Sequence, residues 1–230
     1  MLSILKRLPL LLVLYVMLAV LVTFVQVGAL RFHDPHSTAW MRMRARQARA
    51  QGKPLVIRQT WVPLSELPRT LPRAVIAAED EKFYTHHGFD WDALRQAYEL
   101  NERKERVKRG GSTITQQLAK NLFLSPSRSY LRKAREAVIT AVMELLLPKE
   151  RILELYLNCI EYGPGVFGVE EGAKHHFGVS ARRLSLEQSC TLAAIIPAPL
   201  RYRVAGSYVQ RRAAAIAQII GGVRAVPDSL

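Results

Sequence analysis

From Leu8 to Leu30 the chain carries no charged side chain, and that stretch limits what the rest can do. A helix rising ~1.5 Å per residue would cross a hydrocarbon core of ~30 Å over this length, with a little tilt. The stretch is too long for a signal-peptide core of roughly 7–15 residues, and no clear A-x-A cleavage site follows it. A buried hairpin helix of a soluble domain fits its length and terminal position poorly. The expectation is an uncleaved anchor over 8–30, with residues 1–7 cytoplasmic. Flanking charge does not fix the orientation. Lys6 and Arg7 precede the span, but Arg31, Arg42, Arg44, Arg46 and Arg49 follow it, and long domains translocate largely regardless of charge.

The 230 residues leave room after the anchor for one domain of ordinary size, taken here as 55–230, joined through an Arg-rich helical segment at 31–54 that would lie near lipid headgroups. The formal net charge of +14, from 33 Lys and Arg against 19 Asp and Glu, favours anionic partners. Nucleic acid is the weakest of these, because the cations are dispersed and no binding motif accompanies them. Cys159 and Cys190 are far apart and form no C-x-x-C pattern, which argues against a metal or redox motif. Buried thiols are the default, and whether the two pair stays open.

After a short extended stretch around Leu55–Val62 the pattern is helical almost throughout. Pro72 suits the first turn of a helix running through Ala78, and Asp90 caps one running to about Leu100. A basic run, 101–109, leads to the Gly110-Gly111 break, after which Ser112 is expected to cap a helix through about Leu122. Ser129 to Leu147 reads as an amphipathic helix stopped by Pro148, and Lys149 to Cys159 as the next. Gly163, Pro164, Gly165 and Gly168 mark a turn, followed by helices at 169–176, 186–195 and 207–222. There is no internal repeat and no βαβ alternation. The fold class is mainly α.

Four segments could carry chemistry. In EDEKFYTHHG (79–88), Glu79 and Asp80 end an apolar helix, where the dipole disfavours carboxylates. Such local violations cluster at functional sites, although a solvated acidic helix end is the commoner explanation. In RGGSTITQQLAKNLF (109–123) a glycine pair precedes a helix start whose free N–H groups suit an anion, a weak signal alone. In RKARE (132–136), Arg132 and Glu136 share a helix face and Lys133 lies about 100° around, which taken alone is a surface ion pair. KERILELYLN (149–158) places Ile152, Leu155 and Tyr156 on one stripe, and core packing accounts for it.

Taken together and in this order, the ED-xx-F-xx-H-x-G, G-x-STITQQ, RKxxE and K-xx-ILE-x-YLN patterns resemble glycosyltransferase family 51, the peptidoglycan glycosyltransferases, over roughly residues 55–205. With one anchor and no transpeptidase domain downstream, the chain looks like the monofunctional member. The resemblance implies a mainly α, lysozyme-like helical lobe plus a smaller membrane-associated jaw lobe, preceded by one transmembrane helix, with 101–109 falling where the family has a mobile segment. It implies Glu79 as general base and Glu136 as a second essential carboxylate. It also implies Asp80, Phe83 and His86 shaping the first motif, with Ser112, Thr113, Gln117, Lys120, Arg128, Arg132 and Lys133 lining the substrate sites. No cofactor is implied as required, and Mg or Mn at a pyrophosphate stays open. The implied ligands are lipid II and the growing glycan chain. The implied setting is the bacterial inner membrane with the catalytic domain outside, and cell-division or penicillin-binding proteins are candidate partners.

The chemistry suits those residues. A glycosidase must protonate a poor leaving group, whereas pyrophosphate departs without that proton and needs cations. Lys120, Arg128, Arg132 and Lys133 would supply them. One carboxylate would then deprotonate the acceptor hydroxyl, and Glu136 more naturally orients cations. Two alternatives compete: a lysozyme-like lytic enzyme cutting existing peptidoglycan, and a non-enzymatic tethered protein gripping lipid or nucleic acid by charge.

Overall fold

The computed structural model describes residues 2–102, 111–127 and 129–220; Arg128 and most of the basic run 101–109 lie outside them. Helix α1, Leu2–Ala29, contains the apolar span Pro9–Ala29, which among the described residues is the one helix long and apolar enough to cross a membrane. Leu10 to Met17 are all at least half exposed, a concentration of apolar surface that water would not tolerate. Among the described residues, the helix meets the rest of the protein at its far end, through Phe24 and Val27, followed by Leu30. Arg151 ties that end down: its Nε donates to the Leu30 carbonyl at 2.8 Å and its Nη2 to Asp34 Oδ1 at 2.8 Å.

Helix α2, Ala39–Ala50, begins at the N-cap Thr38, whose hydroxyl accepts the Met41 N–H. This Arg-rich helix packs on helix α5 (Ile114–Phe123) and leaves Arg42, Arg46 and Arg49 exposed.

At the centre is α7, Lys149–Cys159. The sequence suggested one apolar stripe, but from Ile152 to Cys159 only Glu154 escapes full burial. Each buried Leu or Ile there contributes roughly 1.5–3 kcal/mol. The polar exception, Asn158, is completely satisfied: it accepts from Val62 N–H and donates to the Val62 and Glu154 carbonyls, all at 2.9 Å. Helix α6, Tyr130–Leu146, is capped by Ser129, whose hydroxyl accepts the Arg132 N–H, and packs against α5 and α1. The turn around Gly163–Gly168 is a small sheet. In it β2 (Glu161–Gly163) and β3 (Val166–Phe167) pair antiparallel, and β1 (Arg58–Gln59) joins β3 in parallel.

Helices α3 (Thr70–Glu79), α9 (Leu186–Ile195) and α10 (Ser207–Ile219) pack into one side of the body, α3 against α9 and α9 against α10. Helix α3 starts earlier than Pro72 suggested, but the proline stays within the first turn, where its missing N–H has no partner to lose. Helices α4 (Trp91–Glu102) and α8 (Val169–Phe177) complete the described set. Cys159 and Cys190 are buried, unpaired thiols. The fold is mainly α, as expected.

Candidate active site

The site forms where the last residue of α3 meets the first turn of α5. Asp80 ends α3, which leaves its carboxylate at the wrong end of its own helix dipole. The conflict resolves across the interface: Asp80 Oδ2 accepts the Ile114 N–H at 2.9 Å, so the carboxylate sits at the favourable end of α5. Its other oxygen meets His86 Nε2 at 2.8 Å. Gly88 N–H donates to His86 Nδ1 at 3.1 Å, so the imidazole proton resides on Nε2 and points at Asp80.

Gly88 closes the motif for a steric reason. Its φ is +85°, and a Cβ there would lie 2.8 Å from Thr140 Cγ2 and 2.9 Å from Glu144 Cγ. The Gly88 carbonyl accepts the Thr113 hydroxyl at 2.7 Å. Thr113, not Ser112, is the N-cap of α5: it forms a capping box with Gln116, while Ser112 stays outside the helix. Phe83 is fully buried, edge-on to Tyr84, with the Lys149 ammonium 4.6 Å above its ring. It shapes the motif from inside and offers no surface to a ligand.

Glu79 has two fixed donors. Gln117 Nε2 donates to Oε2 at 3.0 Å, and Arg212 Nη2, from α10, donates to Oε1 at 3.1 Å. The Glu79 side chain is 9% exposed, and its pKa lies above the ordinary carboxylate value. Burial is the main cause. Gln117, Arg212 and Lys120 oppose it, and Asp80 adds to it. Gln117 is itself oriented, because the buried Tyr156 hydroxyl donates to its Oε1 at 2.9 Å and so turns the amide nitrogen toward Glu79. A cleft of about 580 Å³ opens beside Glu79, bounded by the end of α3, the starts of α4 and α5, and Arg212, Ala215 and Ile216 of α10.

One helical turn along α5 from Gln117 begins a cationic patch outside that cleft. Glu136 on α6 is buried at 3% exposure rather than on the surface; one oxygen takes Arg132 Nη1 at 2.6 Å and the other takes Lys133. Lys120 has no ion pair among the described residues. Burial depresses its pKa most; Glu136 and Glu79 raise it, and Arg132 and Lys133 lower it further. Lys120 therefore sits electrostatically between the two carboxylates. Arg128, the remaining expected cation, lies outside the described residues.

Among the described residues no group of three or more His, Cys, Asp or Glu could hold a metal ion. Both Glu136 oxygens are engaged by Arg132 and Lys133.

Two residues at the site escaped the sequence reading. Tyr156 was absorbed into the core stripe. Arg212 carried a usable signal, a charge on the Val209–Ala213–Ile216 face that α10 buries.

A sequence-family profile described as transglycosylase matches residues 49–220. The chain is 51% identical over 179 residues to the biosynthetic peptidoglycan transglycosylase of Azoarcus sp. strain BH72, covering 78% of each chain. It is 48% identical over 190 residues to that of Herminiimonas arsenicoxydans, covering 83% of this chain and 82% of the relative. It is also 48% identical over 205 residues to that of Aeromonas hydrophila, covering 88% and 86%.

Proposed function

The chain belongs to the transglycosylase family, and on that premise we propose that it polymerises lipid II, an undecaprenyl-pyrophosphoryl disaccharide-peptide, into β-1,4 glycan strands. It is a peptidoglycan glycosyltransferase. The observation that carries the mechanism is the separation of two jobs. Glu79, a mostly buried carboxylate with fixed donors, faces a cleft, and Lys120 stands beside it without a carboxylate partner among the described residues.

Glu79 takes the proton from the acceptor sugar's 4-hydroxyl as that oxygen attacks the donor's anomeric carbon. A base whose pKa is raised toward the working pH holds the abstracted proton better than an ordinary carboxylate. Attack from the face opposite the leaving group inverts an α-linked donor to a β linkage and releases undecaprenyl pyrophosphate. Lys120, Arg128, Arg132 and Lys133 meet the negative charge that develops on that group. Glu136 orients Arg132 and Lys133. Asp80 and His86 hold the junction of α3 and α5, and Ser112, Thr113 and Gln117 form the cleft wall nearest Glu79.

Confinement to the membrane raises the encounter rate of an enzyme whose substrates are also lipid-tethered. The span 8–30 anchors the chain in the cytoplasmic membrane, and the domain 55–230 works on its outer side. The body around α7 serves as the lysozyme-like lobe. Helix α4, with Trp91, Leu94 and Tyr98 exposed along one side, belongs to the membrane-facing jaw. A lytic reaction is less favoured because the cations of the Lys120–Arg132–Lys133 patch suit a pyrophosphate leaving group, which a glycosidase does not have.

The test supplies the purified full chain with labelled lipid II and, separately, with preformed wall. Growth of high-molecular-weight glycan with intact wall is expected; wall cleavage without precursor consumption overturns the reading. A reporter fused at Leu230 should be active only on the outer side of the membrane.

A further inference from the structure

Helix α2 lies almost wholly outside the matched family region, yet one of its side chains reaches the cationic patch. The Lys120 ammonium sits 5.9 Å from the centroid of the half-buried Trp40 ring. That ring is itself fixed. Its Nε1–H donates to Glu161 Oε2 at 3.1 Å. The same oxygen receives Arg44 Nε at 2.9 Å and Nη2 at 2.7 Å, and the Arg44 guanidinium lies 5.2 Å from the Trp40 ring.

We propose that Trp40 is a positioning residue for Lys120, an aromatic face that holds the ammonium aimed at the donor pyrophosphate without consuming its charge. The inference rests on the proposed role of Lys120. A carboxylate partner would hold a lysine equally well, but it would neutralise the field that the leaving group needs. A ring quadrupole attracts the cation and leaves its net charge intact. Two cations near one ring repel each other, and Glu161, paired with Arg44, offsets that repulsion so that Lys120 can keep its place beside the ring.

The groups facing Lys120 are Trp40 from α2, Glu79 from α3, and Arg132, Lys133 and Glu136 from α6. Burial already depresses the Lys120 pKa, and the ring favours the charged form against that burial. Replacing the ring by the smaller, apolar Leu removes the quadrupole, and Trp40→Phe, which keeps a ring but loses the same hydrogen bond to Glu161, controls for that bond. The alkaline limb of the activity profile should then move to lower pH.

The experiment compares kcat/KM on lipid II against pH for the full-length wild type, Trp40→Leu, Trp40→Phe and Lys120→Met, with melting temperatures for each. Trp40→Leu should lose roughly 3- to 30-fold in kcat/KM, from the strength of such contacts. Its alkaline limb should fall, and Trp40→Phe should recover most of both. An unmoved alkaline limb in a folded Trp40→Leu overturns the proposal, as does equal damage by Leu and Phe. Near wild-type activity in Lys120→Met would instead overturn the role of Lys120 itself.

Discussion

Gly88→Ala tests the steric account of the first motif. At φ +85° an L-residue pays roughly 1–2 kcal/mol in backbone strain. The new methyl would also lie 2.8 Å from Thr140 Cγ2 and 2.9 Å from Glu144 Cγ. Glu144 cannot swing aside cheaply, because Thr115 Oγ1 at 2.5 Å and Lys149 Nζ at 2.9 Å both hold its Oε1. Overpacking of that kind costs about 1–3 kcal/mol, for a total of about 2–5 kcal/mol. The strain should also reach the site, since Gly88 bonds both His86 and Thr113. Urea unfolding of the detergent-solubilised chain, followed by circular dichroism, measures the loss. A second substitution isolates the clash: Thr140→Ser deletes Cγ2 and keeps the hydroxyl bond to the Glu136 carbonyl. Alone it should cost about 0.5–1.5 kcal/mol; combined with Gly88→Ala it should restore roughly 1 kcal/mol. The reasoning fails if Gly88→Ala unfolds within about 0.5 kcal/mol of wild type, or if the two changes simply add.

Three further outcomes follow from the surroundings of Glu79. Arg212→Gln removes a cation that favours the ionised carboxylate, so the acid limb of kcat should move to higher pH, and Arg212→Lys should partly restore it; an unmoved limb refutes that coupling. Tyr156→Phe leaves the Gln117 oxygen unpartnered and its amide free to flip, which should cost about 1–3 kcal/mol in stability and about tenfold in kcat; wild-type values for both would show that Tyr156 orients nothing. Because the folded pKa of Glu79 is raised, its ionisation opposes folding: the stability it contributes is complete below its unfolded pKa and is lost as pH rises through the folded value. The stability of Glu79→Gln relative to wild type should therefore grow as pH rises above the ordinary carboxylate range, and a difference independent of pH in paired melts would contradict the sign.

The helices were legible in the sequence because caps and breakers are local. Ser129, Pro148 and the glycine-rich turn fall where the chain changes course, and helices α8 to α10 begin where periodicity placed them. The misplaced cap of α5 has a local cause too. Ser112 and Thr113 are both good cap types, and Gly88, whose carbonyl takes the Thr113 hydroxyl from 25 residues away, favours Thr113 although Ser is the better cap in isolation. The extended stretch expected around Leu55–Val62 contains β1, but the sheet it joins was not legible, because its three strands are only two or three residues long and β1 pairs from far upstream. The unusual placement of Glu79 and Asp80 was readable, but its physical resolution was not, since it needs the start of another helix. Arg212 and Trp40 were missed for the same reason: each acts on a residue more than 75 positions away, and no spacing rule reaches that far.

The most direct measurement is the rate at which purified full-length chain extends fluorescent lipid II, compared between wild type and Glu79→Gln at matched melting temperature. The account predicts that the variant stays folded and loses roughly 10²- to 10⁴-fold in rate. Glycan growth at the wild-type pace in a folded Glu79→Gln would contradict it.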